Sequence, residues 1–296
     1  MTIAVLGSAN VDLVLRAPRR PRPGETVFGD GFTTGPGGKG LNQAVAARRA
    51  GADVAFAGAV GDDAFGAQLR RVLADEGIDA AALRTVVAPT GVALITVTDD
   101  GENAITVVAG ANADAELADP ARDRIAAATH LVAQCERPVA LVREAFAFAR
   151  AAGVTTVLTP APVVAGVTDL LALTDLLIAN ADEARALSGV QDPAAAARAL
   201  SATAGTVVAT LGASGALAAR AGDIVARVPG RPVPVHDTTG AGDTFAGVLV
   251  ARLAAGDALD RALAVANAAA AVSVTRPGAV ASMPTGDEIA AALCDE

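Results

Sequence analysis

The sequence predicts an α/β protein: a mostly parallel sheet flanked by helices, with a small β-sheet lid. Three observations lead there. Short apolar runs alternate with helical patterns through most of the chain, which is the rhythm of strand–helix–strand units. That alternation argues for parallel strands covered on both faces. Two β-rich segments, at 11–28 and 92–108, break the pattern and have no helices to cover them. A small sheet that projects over a cleft, or pairs with a second copy of the chain, accounts for both.

The expected strands of the large sheet lie at 3–7, 54–59, 130–133, 155–159, 176–179 and 206–211. Helices are expected at 41–50, 64–76, 139–151, 181–187 and 194–202, with Asp182 and Asp192 near two starts, where caps and the helix dipole favour acids. In the lid, 11–15 and Thr26-Val27-Phe28 read as half-exposed strand. Segments 92–97 and 104–107 read as a hairpin turning at Asp99-Asp100-Gly101, since Asp-Gly between β-rich runs is a hairpin signal. Arg16, Arg19, Arg20 and Arg22 among prolines read as a solvated connection. Without a long linker or an internal repeat, residues 1–296 form one domain, with the lid at about 12–34 and 92–108.

Composition narrows the function. The 296 residues are 52 % hydrophobic and 19 % charged, so a large core can be buried and disorder is excluded. With seven Phe and no Tyr or Trp, the core must be built from Ala, Val, Leu and Ile. The same scarcity removes the aromatic platforms on which single strands stack, and a net charge of −9 repels a phosphate backbone. Nucleic acid is therefore not an expected partner, and any polyanionic ligand needs a local device. Cys135 and Cys294 make neither a metal-ligand spacing nor a disulfide framework, and read as reduced thiols of a cytoplasmic protein. The start, Met1 to Gly7, lacks a basic n-region and reads as a first strand. The apolar stretch 262–274 is interrupted by Asn267 and is shorter than the ~18 residues a span needs, so it reads as a buried helix and no membrane role is expected.

The most informative stretch is Asp237-Thr238-Thr239-Gly240-Ala241-Gly242-Asp243-Thr244-Phe245. Ala246, Leu249, Val250 and Leu253 follow at helical spacing, so the glycines lie at a helix N-terminus. Free amides converge there, the dipole adds partial positive charge, and missing side chains at Gly240 and Gly242 admit a bulky anion. An aspartate beside such a cradle repels an anion it would merely bind. Asp243 is either a base that takes a proton from an attacking hydroxyl or a dipole-friendly first-turn acid. A second stretch, Gly35-Pro36-Gly37-Gly38-Lys39-Gly40, formally matches G-x-G-x-x-G. A dinucleotide fingerprint belongs after the first strand, where the chain reads Gly7-Ser8-Ala9-Asn10, and the Walker pattern fails because Gly40 follows the lysine. Lys39 is the only lysine against 22 arginines. The better reading has Lys39 and Asn42 facing a polar ligand. Asn10 and Asp12 can add hydrogen bonds suited to sugar hydroxyls, or do no more than shape the turn.

Taken in order, Asn10-Val11-Asp12, Gly37-Gly38-Lys39-Gly40-Leu41-Asn42-Gln43-Ala44, Asn180-Ala181-Asp182-Glu183, Thr210-Leu211-Gly212 and Asp237-Thr238-Thr239-Gly240-Ala241-Gly242-Asp243 resemble the ribokinase branch of the PfkB sugar kinases over essentially the whole chain. The resemblance implies a Rossmann-like (ribokinase-like) fold with a β lid. It implies that Asp243 deprotonates the primary hydroxyl of a sugar, which then attacks the γ-phosphate of ATP, and that the amides of Gly240, Ala241 and Gly242 form the anion hole. It places Asn10, Asp12, Gly38, Lys39, Asn42 and Glu136 on the sugar, and Thr210 and Gly212 on the nucleotide, with Asn267 near the adenine. Asn180 and Glu183 organise Mg²⁺ through water. Asp237, Thr239, Ser273, Arg276, Gly278 and Ser282 match a K⁺ loop, several through backbone carbonyls.

One departure stands out: the branch usually has Asn where this chain has Thr159, ahead of Pro160-Ala161-Pro162. Thr159 brings a hydroxyl but no amide to the phosphate or metal-water network. Cys135 reads as a small buried hydrophobe beside the sugar pocket. Ribose is the expected substrate, with ribose 5-phosphate and ADP as products. Fructose, deoxyribose or pseudouridine are the alternatives, adenosine is disfavoured by the lack of aromatics, and a non-catalytic sugar or nucleotide sensor and an NAD(P) oxidoreductase are the readings outside the class. The lid edge makes a homodimer plausible on physical grounds.

Overall fold

Residues 2–100 and 102–294 are described in a computed structural model of the chain. Met1 of the expected first strand and Gly101 of the expected hairpin turn lie outside the described residues.

The large sheet is built from β1 (Thr2–Leu6), β4 (Asp53–Gly61), β5 (Asp79–Val86), β8 (His130–Gln134), β9 (Thr155–Thr159), β10 (Leu176–Asn180), β11 (Thr206–Thr210), β12 (Ala216–Arg220) and β13 (Asp223–Val228). Their spatial order is β13-β12-β11-β10-β9-β8-β1-β4-β5, parallel except for β12 and β13, which return antiparallel at one edge. The small sheet contains β2 (Asn10–Ala17), β3 (Gly31–Gly37), β6 (Gly91–Thr98) and β7 (Asn103–Val108) in the order β3-β2-β6-β7.

Alternation along each strand divides the interior. In β1, Ile3 and Val5 enter one core while Ala4 and Leu6 enter the other. The first core is covered by α1 (Lys39–Arg49), α2 (Ala64–Asp75), α7 (Ala241–Ala254), α8 (Leu259–Ser273) and α9 (Gly286–Cys294). The second lies under α3 (Asp119–Ala126), α4 (Val139–Ala151), α5 (Ala181–Ser188) and α6 (Pro193–Leu200). Asp63 and Asp192 cap α2 and α6 by accepting from Gly66 and Ala195 amides at 2.7 Å, each worth about 1 kcal/mol. Asp182 stays in the first turn of α5, whose cap is Asn180.

The expected strands of the large sheet and the expected helices all occur, with ends displaced by a residue or two. The segment at 262–274 is the buried helix α8. One expectation is corrected: Thr26-Val27-Phe28 is irregular, and the lid strand is Gly31–Gly37. Phe28 is 89 % exposed and joins no core, whereas β2 pairs antiparallel from Asn10↔Gly37 to Arg16↔Gly31. The glycine-rich motif is thus a lid strand running into α1. The lid hairpin forms as expected, with Asp100 accepting from the Thr98 hydroxyl and the Glu102 amide. In the arginine connection, Arg19 pairs with Glu25 and Arg20 donates to the Asn103 carbonyl, both at the surface.

Candidate active site

Parallel strands deliver their loops to one edge of the sheet, and the site forms there. Helices α1 and α7 pack so closely that a Cβ on Gly247 would lie 2.5 Å from the Gln43 carbonyl. This approach sets Asp243, one turn before Gly247, against Asn42 and Gln43. Oδ2 of Asp243 accepts from Nδ2 of Asn42 and Oδ1 from Nε2 of Gln43, both at 2.9 Å. Asp243 is 8 % exposed.

The turn before Asp243 has the expected form. Gly240 caps α7 at φ 74°, a left-handed conformation natural to glycine, and a Cβ there would press on Ala279 at 3.1 Å. At Gly242 an added Cβ would meet no protein atom within 4 Å, so its missing side chain leaves open space in the cleft instead of serving packing. The first amides of a helix have no intrahelical acceptor. Of the three anion-hole residues expected, Ala241 turns its amide onto the Thr238 carbonyl at 3.2 Å, so the open donors belong to the glycines on either side. The cleft holds about 230 Å³, and Lys39, Thr159, Asn180, Glu183, Thr210 and Thr238 share its lining with Gly240, Gly242 and Asp243.

Lys39 opens α1 behind Gly38, whose φ of 90° again suits glycine. The Lys39 amide donates to Glu136 Oε2 at 3.0 Å, and the Ser8 hydroxyl donates to the same oxygen at 2.5 Å. Asp12 projects from β2 over Gly37, where a Cβ would collide with the carboxylate at 2.2 Å. Asn10 is fixed by Asn112, which donates to its Oδ1 at 2.7 Å and accepts from the Ala9 amide at 3.0 Å.

Charge is concentrated here. Burial, with Glu136 and Asp243 adding to it against the pull of Lys39, pushes the Asp12 carboxyl up to about 6. Burial works to lower the Lys39 ammonium, but Asp243, Glu136, Glu183 and Asp12 together hold it above its ordinary value, so it stays charged. Burial likewise raises Glu183, against the Asn180 amide and Lys39. Cys135 is pushed up to about 12 by burial and by Glu183, and is an inert neutral thiol as expected.

Asn180 and Glu183 form a capping box: Asn180 Oδ1 accepts from the Glu183 amide at 2.8 Å and Glu183 Oε2 from the Asn180 amide at 2.9 Å. The pair is thereby held rigid at the cleft wall. Their oxygens are the donors a hard cation takes. Among the described residues no three His, Cys, Asp or Glu gather into a direct metal site. Thr210 ends β11 at the cleft wall, and Gly212 follows at φ 56°. The Asn267 amide donates to the Pro229 carbonyl at 2.8 Å and ties α8 to the segment after β13.

The residues of the expected cation loop gather, and hydrogen bonds hold their side chains in place. Asp237 accepts from the Thr239 hydroxyl and amide and from the Gly278 amide at 2.8 Å. Burial alone would raise its carboxyl; those three donors bring it below the ordinary value. Ser273 and Ser282 donate to the Ala270 and Ala279 carbonyls, and the Arg276 guanidinium is paired with Glu288. Backbone carbonyls, the Asp237 carboxylate and the two serine hydroxyl oxygens all keep lone pairs, and the strap at 273–282 buttresses the Gly240 turn.

Sequence reasoning missed Ser8, Gln43, Asn112 and Gln134. Gln43 stands inside the quoted motif, yet only the tertiary packing of α1 on α7 brings it to Asp243.

A family model described as "pfkB family carbohydrate kinase" matches residues 2–286. The chain is 40 % identical to a ribokinase of Haemophilus influenzae over 296 residues, covering 97 % of this chain and 96 % of the relative. It superposes on the crystal structure of a ribokinase from Thermotoga maritima with a TM-score of 0.91, 31 % identity and 99 % coverage of both chains. The Arabidopsis thaliana ribokinase solved with ribose and ATP gives a TM-score of 0.90, at 29 % identity and 98 % coverage of both.

Proposed function

The chain belongs to the pfkB family of carbohydrate kinases, and from that premise we propose that it transfers the γ-phosphoryl group of ATP to the 5-hydroxyl of D-ribose, giving ribose 5-phosphate and ADP. It is an ATP-dependent sugar kinase. The observation that supports the chemistry best is Asp243, buried, gripped by two carboxamides and set at the open start of α7 beside Gly240 and Gly242.

Asp12, Asn10, Glu136 and Lys39 hold the sugar hydroxyls and present the primary one to Asp243. The carboxylate takes the hydroxyl proton as the oxygen bonds to the γ-phosphorus and the bond to the β-phosphate oxygen breaks, releasing ADP. Charge that grows on the phosphoryl oxygens meets the amides of Gly240 and Gly242, with the dipole of α7 behind them. Lys39 contributes its positive charge to the same space. Thr210 and Gly212 border the nucleotide. Mg²⁺, when bound, neutralises phosphate charge; Asn180 and Glu183 fit its water shell. K⁺ at carbonyls of the strap containing Ser273, Arg276, Gly278 and Ser282, next to Asp237 and Thr239, would steady the anion-hole turn.

The small sheet is the lid and also the expected dimer contact. Period-2 alternation sets Asp12 on one face and Leu15, Phe32 and Leu94 on the other, where they are 42, 65 and 47 % exposed. That outer apolar face fits a second copy of the lid. No helix among the described residues is long and apolar enough to cross a membrane.

An ADP-release assay over ribose, deoxyribose, fructose, pseudouridine and adenosine, with and without K⁺, tests the assignment. Ribose should give the highest kcat/KM. Turnover of ribose no better than of the others removes it, and ATP binding with no transfer to any sugar leaves a sensor.

A further inference from the structure

The Asp243 carboxylate is not free to swing, and the amide that holds Oδ1 is itself held. Gln43 Nε2 donates one proton to Asp243 and the other to Thr159 Oγ1 at 3.0 Å. Gln43 Oε1 accepts from Gln134 Nε2 at 2.8 Å. All four side chains are buried. Turned over, the Gln43 amide would set its oxygen against the carboxylate and its NH₂ against that of Gln134, exchanging two hydrogen bonds for two repulsions. Gln134 is fully buried and its Oε1 finds no hydrogen-bond partner, so its bond to Gln43 is the contact that orients both amides.

Thr159 follows from the same logic. A hydroxyl offers one proton and two lone pairs. Gln43 can only donate to it, so one lone pair is taken and the proton must go elsewhere. Thr159 lines the cleft together with Lys39, Gly240 and Gly242, where an anion is the acceptor at hand.

We propose that Gln43, locked in one orientation by Gln134, is a positioning residue for phosphoryl transfer: it aims the Asp243 carboxylate and frees the Thr159 hydroxyl to donate to the oxygens of the transferring group. The proposal rests on Asp243 as the base. It gives Thr159 a role that its hydroxyl, and not an amide, fulfils.

Gln134→Glu tests it by exchanging one NH₂ for an oxygen. The new carboxylate accepts from Gln43, turns the amide over and leaves Asp243 facing an oxygen. The kcat with ribose should fall about tenfold or more, the scale of a lost hydrogen bond to a charged group, while KM for ribose and for ATP stays within about twofold. A carboxylate buried at 134 is costly to the fold, so Gln134→Met, uncharged and similar in length, is measured beside it and should also lose kcat at unchanged KM. Thr159→Val should lose about tenfold in kcat, and Thr159→Ser should restore it. Unchanged kcat in the Gln134 variants and in Thr159→Val overturns the proposal. So does a loss that enters KM as much as kcat, or one that serine does not repair, because packing would then explain it. Asp243→Asn belongs in the same series. If it still turns over, the general-base reading fails. If it is inactive while the other variants are unaffected, only the Gln43 proposal fails.

Discussion

Replacing Asp12 by Asn should make the ligand-free protein more stable and a poorer enzyme. Asp12 sits half-buried beside Glu136 and Asp243, and its carboxyl is pushed from 3.8 to about 6. At 1.36 kcal/mol per unit, holding it ionised at neutral pH costs about 3 kcal/mol. The sign follows from proton binding. The unfolded carboxyl titrates near 3.8 and the folded one near 6, so the native state binds the proton more tightly. The penalty is absent below 3.8, grows as pH rises between the two values, and stands in full above 6. Asn, of the same shape and always neutral, escapes it. Urea unfolding of the parent and of Asp12→Asn, compared from about pH 4.5 to about pH 8, cancels every other titrating group. The variant's advantage should open with pH, level off above 6 and amount to a rise in Tm of about 5 °C for a chain of this size. With ribose, KM should rise by about tenfold or more, because an acceptor for sugar hydroxyls is lost. An advantage that does not change with pH, or a variant less stable than the parent at pH 8, refutes the reasoning.

Four further outcomes are expected. Asp243→Asn should lower kcat by ~10²–10⁴ with little change in ribose affinity, as steady-state kinetics and titration calorimetry would read. Gly242→Ala should leave Tm unchanged, since the added methyl meets no protein atom within 4 Å, yet cut phosphoryl transfer by filling the cradle. Lys39→Arg should raise KM for the sugar more than for ATP, because a planar guanidinium cannot take the place of a compact ammonium; an effect confined to ATP would reverse the placement. Exchanging K⁺ for Na⁺ in the assay should lower kcat, and indifference to the ion removes the cation from the strap at 273–282.

Much of the fold could be read from the chain because the parallel strands are short apolar runs between helices. The limits at Thr155–Thr159 and Val139–Ala151 are set by Ala152 and Gly153 turning the chain, the latter at φ 75°, and by Pro138 opening the helix. Thr26–Phe28 misled because β-branched and aromatic residues favour strands only where a neighbouring strand is available, and β2 spends its edge on Gly31–Gly37. In Gly-Phe-Thr-Thr-Gly-Pro-Gly the strand signal of Phe32, Thr33 and Thr34 is broken up by three glycines and a proline; its pairing with β2 makes it a strand. The site was legible where backbone chemistry is local, as at Gly240 to Asp243. It was not legible at Gln134 and Asn112, whose roles depend on partners 91 and 102 residues away in the chain. The bond from Asn267 to the Pro229 carbonyl, 38 residues away in the chain, was likewise beyond local reading.

The composition has a practical outcome. Every cation of the chain but one is a guanidinium, and guanidinium groups do not react with amine-selective acylating reagents. Apart from the α-amino group, such a reagent can mark this protein at a single point, the ammonium at the floor of the cleft. The surrounding carboxylates keep that nitrogen protonated, so acylation is slow near neutrality and quickens in alkali. The mass added beyond that at the α-amino group, counted with and without sugar or nucleotide, would report directly how full the pocket is.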